Sequence, residues 1–158
     1  MNILVLGNGA REHALCYAIT KSQKLTKLFC APGNYGISNV AEVHNFDINN
    51  FDMLYDFCTE KGIDLVVVGP EVPLVNGVVD FLEAKDIKAF GPKKVPAKLE
   101  GSKIFMKDIC ARYNIPTAKY QNFIEKTAAE TYLHKQPLPV VIKASGLAAG
   151  KGVTIATT

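Results

Sequence analysis

The sequence has few cysteines, and none is arranged to bind a metal or to form a redox pair. The four cysteines stand at positions 16, 30, 58 and 110, and no pair has the CxxC spacing of zinc or thiol-redox sites. Three of them lie inside apolar runs, which is typical of buried free thiols. No apolar stretch is long enough to cross a membrane, and there is no basic leader with a cleavage site. We therefore expect a cytoplasmic protein with no structural metal and no membrane partner.

The sequence also lacks a strong excess of either charge. Its 18 lysines and arginines and 15 aspartates and glutamates give a net charge of +3 at pH 7. The lysines are scattered rather than gathered in a stripe, which argues against a nucleic acid as partner. Hydrophobic residues make up 48% of the 158 positions, which is enough for the core of one domain and part of another.

Short apolar runs alternate with stretches of helical spacing over the first hundred residues. Apolar residues recur at helical spacing over 14–19, 51–58 and 75–82, and Gly62 is positioned to end the second of these helices. Strands that alternate with helices in this way form right-handed units of a parallel sheet. We therefore expect residues 1–100 to form a small Rossmann-like α/β domain. Its predicted strands lie over 3–6, 27–31, 65–68 and 87–90.

A different pattern begins after residue 100. Ser102 can cap a helix, and Thr127 with Glu130 has the spacing of a capping box before another helix. Two predicted strands follow, over 140–143 and 153–156, with a glycine-rich loop between them. A strand, a loop and a strand form a hairpin rather than another parallel unit. We therefore expect residues 101–158 to begin a separate α+β domain.

The first candidate site follows the first strand, where Gly7, Asn8 and Gly9 lead into a helix. The run is similar to a dinucleotide fingerprint, but Glu12 stands where the third glycine is needed, so NAD is a poor fit. The start of the helix still offers backbone N–H groups to an anion, and Arg11 adds a donor fork suited to phosphate. The alternative is a tight turn that needs glycine, with Arg11 and Glu12 on a solvated face.

Two further loops follow strands that should end at the same edge of the sheet. One contains Gly33 and Asn34, and the other holds Glu71 between two prolines. A carboxylate fixed in this way can accept hydrogen bonds from a substrate amine or a ribose hydroxyl. The alternative for the second loop is a rigid connector between strand and helix.

The third candidate site is the glycine-rich loop over 145–152. Lys143 ends the strand before the loop, and Lys151 lies inside it. The loop is not a Walker motif, because Ser145 stands at the position of the first glycine. A lysine that ends a buried strand favours an anionic ligand, and glycines let backbone amides approach phosphate oxygens. The alternative is a flexible hairpin whose lysines face water.

Several segments taken together resemble one enzyme family. They are VLGNGAREHAL, APGNYG, VVGPEVPLVNGVVD, FGP, LEGSKIFMKD and VIKASGLAAGKGV, which follow in this order along the whole chain. They are similar to segments of the glycinamide ribonucleotide synthetases, or phosphoribosylamine–glycine ligases, which are ATP-grasp enzymes of purine biosynthesis. The resemblance implies a front α/β domain that helps to hold the ribosylamine phosphate, followed by the start of an ATP-grasp domain.

The resemblance also implies a reaction, in which ATP drives the ligation of glycine to 5-phosphoribosylamine through an acyl phosphate. The implied partners are these small molecules, the implied cofactors are ATP and Mg²⁺, and no covalent nucleophile is implied. The family's metal ligands and adenine contacts lie beyond residue 158, so we expect an incomplete part of the enzyme without metal ligands. The implied substrate-binding residues are Asn8, Gly9, Arg11, Gly33, Asn34 and Glu71. The implied ATP-binding residues are Lys103, Lys143, Ser145, Gly146, Gly150, Lys151 and Gly152.

The sequence departs from the family pattern at two positions and leaves alternatives open. Ser145 stands where the family usually has aspartate, and Ala10 stands where glycine is frequent. Another ATP-grasp carboxylate–amine ligase, or a biotin-carboxylase-like enzyme, would share the fold. A non-catalytic nucleotide-binding module would fit the length. Nothing in the sequence indicates an oligomeric state.

Overall fold

The structure is a computed structural model that describes residues 1–148 and 150–158. Its internal contacts divide the chain into two compact units, Met1–Ala97 and Lys98–Thr158. The division falls slightly before the domain boundary expected at residue 100, and that boundary stays a prediction. Ala149, which belongs to the glycine-rich loop, lies outside the described residues. Within the described ranges, no helix has both the length and the apolar character needed to span a bilayer.

The first unit is built on a five-stranded parallel sheet, which confirms the predicted fold class. Its strands are β1 (Asn2–Gly7), β2 (Lys27–Pro32), β3 (Glu42–Val43), β4 (Leu65–Val68) and β5 (Ala89–Phe90). The order across the sheet is β3, β2, β1, β4 and β5, and every pairing is parallel. The first strand is therefore central. The chain adds two strands on one side of β1 and then returns to add two on the other.

Four helices connect the strands of this unit: α1 (Ala10–Ile19), α2 (Phe51–Lys61), α3 (Glu71–Asn76) and α4 (Val78–Glu83). The side chain of Asn50 caps α2 by accepting a hydrogen bond from the amide of Met53 at 3.2 Å. Gly62 ends the same helix in the left-handed conformation at φ +58°, which confirms the predicted stop.

The single helix predicted over 75–82 is wrong, because the structure has the two short helices α3 and α4 there. Gly77 separates them, with a φ of +98° that L residues rarely adopt. The apolar spacing of Val75, Val78 and Leu82 continues across this break. The spacing therefore reports which side chains are buried and does not reveal that the helix is interrupted.

The core lies on both faces of the sheet. Leu4 and Leu6 of β1 pack with side chains of α2 and α4 in one buried cluster, while Val5 packs with Cys16 of α1 in another. Covering both faces explains why the central strands read as continuous apolar runs. The four cysteines are free, and burial raises the pKa of the Cys58 thiol to about 12.

The second unit contains helices and a hairpin. Ser102 caps the helix α6 (Lys103–Arg112) as predicted, accepting a hydrogen bond from the amide of Phe105 at 3.2 Å. The predicted capping box at Thr127 is wrong, because α7 (Lys126–Leu133) has its N-cap two residues earlier, at Glu125. The predicted hairpin is confirmed as an antiparallel pair. The hairpin strands are β6 (Val140–Lys143) and β7 (Val153–Ala156), and a further helix, α5 (Lys94–Gly101), begins in the first unit and ends in the second.

Candidate functional sites

The loops after β1, β2 and β4 meet at the carboxyl edge of the first unit's sheet. The amide of Gly33 donates to the carbonyl of Gly7 at 3.1 Å, and the amide of Gly69 donates to the carbonyl of Leu6 at 3.1 Å. These bonds continue the strand pairing into the loops. The candidate residues of the three loops are therefore neighbours in space.

Asn34 ties two of the loops together. Its Nδ2 donates to the carbonyl of Asn8 at 2.7 Å, and its Oδ1 accepts from the amide of Ile37 at 2.9 Å. Gly33, the residue before it, has a φ of +66°, and a Cβ there would come within 2.8 Å of Val43. The second loop is thus held by its own hydrogen bonds and requires glycine at position 33.

Arg11 lies between two carboxylates. Its Nε donates to Oε1 of Glu12 at 2.9 Å, and its Nη1 donates to Oε1 of Glu71 at 3.1 Å. These bonds, first to Glu12 and then to Glu71, raise the pKa of Arg11 above its ordinary value. The pKa of Glu71 is lowered, first by its own backbone N–H and then by Arg11. These two bonds use two of the five N–H donors of the guanidinium, so a ligand anion can bind Arg11 through the others while both carboxylates stay in place.

Glu12 is buried, with only 4% of its surface exposed, so the solvated face considered for it is wrong. Its Oε2 accepts from the amide of Gly9 at 2.7 Å. That amide at the start of α1 is therefore already paired. Sequence reasoning missed this role, because it treated position 12 only as the place where a dinucleotide fingerprint fails.

A cavity of about 610 Å³ opens at this edge of the sheet. One wall is the segment 45–49, which follows β3 and which the sequence reasoning missed. Its Asp47 accepts a hydrogen bond from the amide of Asn49 at 2.9 Å. The signal in the sequence was the alternation of asparagine and aspartate after a very short strand. The lining residues are Gly7, Asn8, Glu12, Pro32, Asn45, Phe46, Asp47, Ile48, Asn49 and Pro70.

In the second unit, α6 is joined to the glycine-rich loop. Nζ of Lys103 donates to the carbonyl of Gly146 at 2.9 Å, so two of the expected ATP-binding positions are in contact. Gly146 and Gly150 have φ values of +98° and +77°, and among the described residues other than its chain neighbours a Cβ at either would meet no atom within 4 Å. Glycine is needed at these two positions for the backbone conformation rather than for space.

The lysines beside the loop face water in the described chain. Lys143, Ser145 and Lys151 are exposed, while Gly152 is half-buried. The strand before the loop is also largely exposed, with Ile142 at 46%. The prediction that Lys143 ends a buried strand is therefore wrong for the described residues. Because the strand is exposed, its burial gives no reason to expect an anion beside Lys143.

The side chains that the structure describes include no candidate metal site. Among the described residues, no three or more His, Cys, Asp or Glu side chains are grouped to hold a metal ion. The donor set that Mg²⁺ prefers, several oxygen ligands around one point, does not occur there. The described residues therefore do not form a Mg²⁺ site by themselves.

The fold is shared with solved ligases and carboxylases. A crystal structure of phosphoribosylamine–glycine ligase from Thermotoga maritima matches with a TM-score of 0.76 and 31% identity, over 100% of this chain and 36% of that one. The biotin carboxylase domain of 2-oxoglutarate carboxylase from Hydrogenobacter thermophilus, solved with MgADP, matches with a TM-score of 0.78 and 19% identity. That match covers 99% of this chain and 37% of the other, and it shows a common fold alone. The fold thus places the chain in the structural class that these ligases and carboxylases share.

The sequence comparisons define the family within that class. Residues 1–100 match the family model of the phosphoribosylglycinamide synthetase N domain, and residues 101–158 match the ATP-grasp (A) domain of the same synthetase. The chain belongs to the phosphoribosylglycinamide synthetase family. The phosphoribosylamine–glycine ligase of Mesorhizobium japonicum is 57% identical over 158 residues, which is 100% of this chain and 37% of that relative. The chain thus spans about 37% of the length of the curated relatives it matches.

Proposed function

We propose that this chain is the part of a phosphoribosylamine–glycine ligase that binds the ribosylamine phosphate and begins the ATP site. The observation that supports this best is the convergence of three loops around one cavity at the carboxyl edge of the parallel sheet. Ligands of such sheets bind at that edge. The substrate site would consist of Asn8, Gly9, Arg11, Gly33, Asn34 and Glu71.

The proposed reaction transfers the γ-phosphoryl group of ATP to the carboxylate of glycine and releases ADP. The amine of 5-phosphoribosylamine then attacks the acyl carbon and displaces phosphate, giving glycinamide ribonucleotide. The residues of the first unit bind and orient the ribosylamine, since positioning and charge neutralisation account for most of such catalysis. In the family Mg²⁺ neutralises phosphate charge, and its ligands lie outside the residues described.

The ATP phosphates would contact the second unit. The proposed contacts are the ammonium groups of Lys103 and Lys143 and the backbone amides of the glycine-rich loop. Lys103 is already within hydrogen-bond distance of that loop, which supports a common role. The full set is Lys103, Lys143, Ser145, Gly146, Gly150, Lys151 and Gly152. We also propose that the protein is cytoplasmic, because its four cysteines are free thiols.

A titration with ribose 5-phosphate tests the substrate site, because this compound is a stable analogue of the ribosylamine. We expect the amide signals of residues 8–12 in the ¹⁵N-labelled chain to shift, with smaller shifts at 33–34 and 71. The affinity should be weak, on the order of 0.1–1 mM, because the carboxylates of Glu12 and Glu71 beside Arg11 repel a second anion. Arg11→Ala should weaken the shifts several-fold.

Plain ribose serves as the control, and it should give no shift because it lacks the phosphate. If ribose 5-phosphate at ~10 mM, well above the expected constant, leaves the amides of residues 8–12 unmoved, the assignment of the first unit fails. The glycines there would then form only a turn.

A further inference from the structure

We propose that Glu12 is a positioning residue of the ribosylamine site, which acts by fixing Arg11 and the start of α1 through one buried carboxylate. The proposal rests on the proposed function, because it takes the edge around Gly7, Asn8 and Arg11 to be the substrate site. The sequence motif alone does not suggest this positioning role for Glu12.

Both oxygens of the Glu12 carboxylate are used. Oε2 accepts from the amide of Gly9 at 2.7 Å, and Oε1 accepts from Nε of Arg11 at 2.9 Å. The residue is 4% exposed and lines the cavity. A buried carboxylate is costly unless it is paired in this way. The hydrogen bonds from Gly9 and Arg11 thus stabilise the buried charge of Glu12. The same bonds fix the positions of the Gly9 amide and the Arg11 guanidinium.

The glycines of two loops make room for this carboxylate. A Cβ at Gly7 would lie 2.7 Å from Cδ of Glu12, and a Cβ at Gly9 would lie 2.9 Å from its Oε2. Gly69, in the loop after β4, would bring a Cβ to 2.6 Å from Cγ of Glu12. Real Cβ atoms do not approach other atoms so closely. A side chain at any of these three positions would displace Glu12, so the glycines leave the space that its carboxylate occupies.

The consequence for binding follows from charge and geometry. Arg11 has 56% of its side chain exposed, and a long exposed side chain otherwise samples many rotamers. The hydrogen bond to Glu12 fixes the Nε end of the guanidinium. Nη1 donates to Glu71, and the remaining N–H groups are available to an incoming ligand. Substrate then finds a donor that is already oriented, which lowers the entropy lost on binding.

The test uses Glu12→Gln in the full-length protein that carries these residues. Glutamine keeps the size but has a single acceptor oxygen, so either Gly9 or Arg11 loses its partner. We expect the KM for 5-phosphoribosylamine to rise about ten-fold, because a lost charge-assisted hydrogen bond is of that order. The KM for ATP should stay within about two-fold. The matched control is Glu60→Gln, on an exposed carboxylate of α2 that forms an ion pair with Lys61, and it should change neither constant.

A double-substitution cycle distinguishes positioning from a general loss of structure. Arg11→Ala alone should also raise the KM for 5-phosphoribosylamine, and adding Glu12→Gln to it should raise the KM by less than Glu12→Gln does in the unsubstituted protein, because only the Gly9 contact remains to be lost. A folded Glu12→Gln protein with unchanged KM would overturn the proposal, as would effects that simply add. If neither Arg11→Ala nor Glu12→Gln changes this KM, the proposed substrate site itself fails.

Gly69→Ala provides a second route to the same displacement, because its methyl group would occupy the space of the Glu12 side chain. The same selective rise in KM is expected. If thermal unfolding shows that both Glu12→Gln and Gly69→Ala fail to fold, Glu12 is needed for folding rather than for positioning, and the proposal is wrong.

Discussion

At the scale of single residues, the two lysines proposed to contact ATP differ in their surroundings. Lys103 is half-buried and donates to the carbonyl of Gly146, whereas Lys143 is exposed at the end of β6. An exposed ammonium group contributes little until a ligand and the rest of the site remove water from it. The effect of Lys143 should therefore appear only when ATP is bound.

Replacing Lys143 by alanine in the full-length protein should weaken ATP binding at least ten-fold, or about 1.4 kcal/mol, because a desolvated ammonium–phosphate contact is lost. Lys135→Ala is the matched control, since Lys135 is an exposed lysine in the turn after α7. Steady-state KM for ATP is the measurement. Equal and small effects of the two substitutions would favour the solvated hairpin over the ATP contact.

The buried position of Glu12 could not be predicted from the sequence. Charged side chains near a helix start usually face water, and the motif assigns position 12 to a missing glycine. Its burial depends on Gly69, which is distant in the sequence and adjacent only after β1 and β4 pair. Arg11 and Glu71 could be predicted to be neighbours, because parallel strands end at one edge. Their ion pair could not, since it depends on side-chain geometry.

At the scale of elements, long apolar runs were predicted well and short elements were not. The runs of β1, β2 and β4 identify their strands because both faces of each are covered. The two residues of β3 carry no such pattern, and the wall over 45–49 was missed with it. The break at Gly77 was missed because a single glycine inside an apolar helical pattern is commonly tolerated.

Gly77→Ala should lower the free energy of unfolding by about 2 kcal/mol or more, because a φ of +98° lies outside the left-handed region open to L residues. Gly62→Ala is the matched control, since its φ of +58° lies inside that region, and it should cost about 1 kcal/mol. Urea unfolding followed by circular dichroism measures both. Equal costs would show that the break between α3 and α4 can close into a regular helix.

At the scale of the whole molecule, the chain should bind ligands without completing the reaction. The curated relatives are more than twice as long, and no grouped metal ligands occur in the described ranges. Without a metal between the phosphates, the charge of the transferring group is not neutralised. We expect no glycine-dependent phosphate release from these 158 residues alone. Phosphate release that requires both glycine and the ribosylamine would contradict this; an active full-length protein is the positive control.

The central position of β1 also matters while the protein is being made. This strand leaves the ribosome before the other four strands of its sheet, and β2 can pair with one of its edges soon afterwards. Its other edge pairs with β4, so it stays open until residues 65–68 have been synthesised. At translation rates of about 5–20 residues per second, this interval lasts on the order of several seconds. For that time the nascent chain carries an apolar strand with one unpaired edge, which is the kind of surface that chaperones bind.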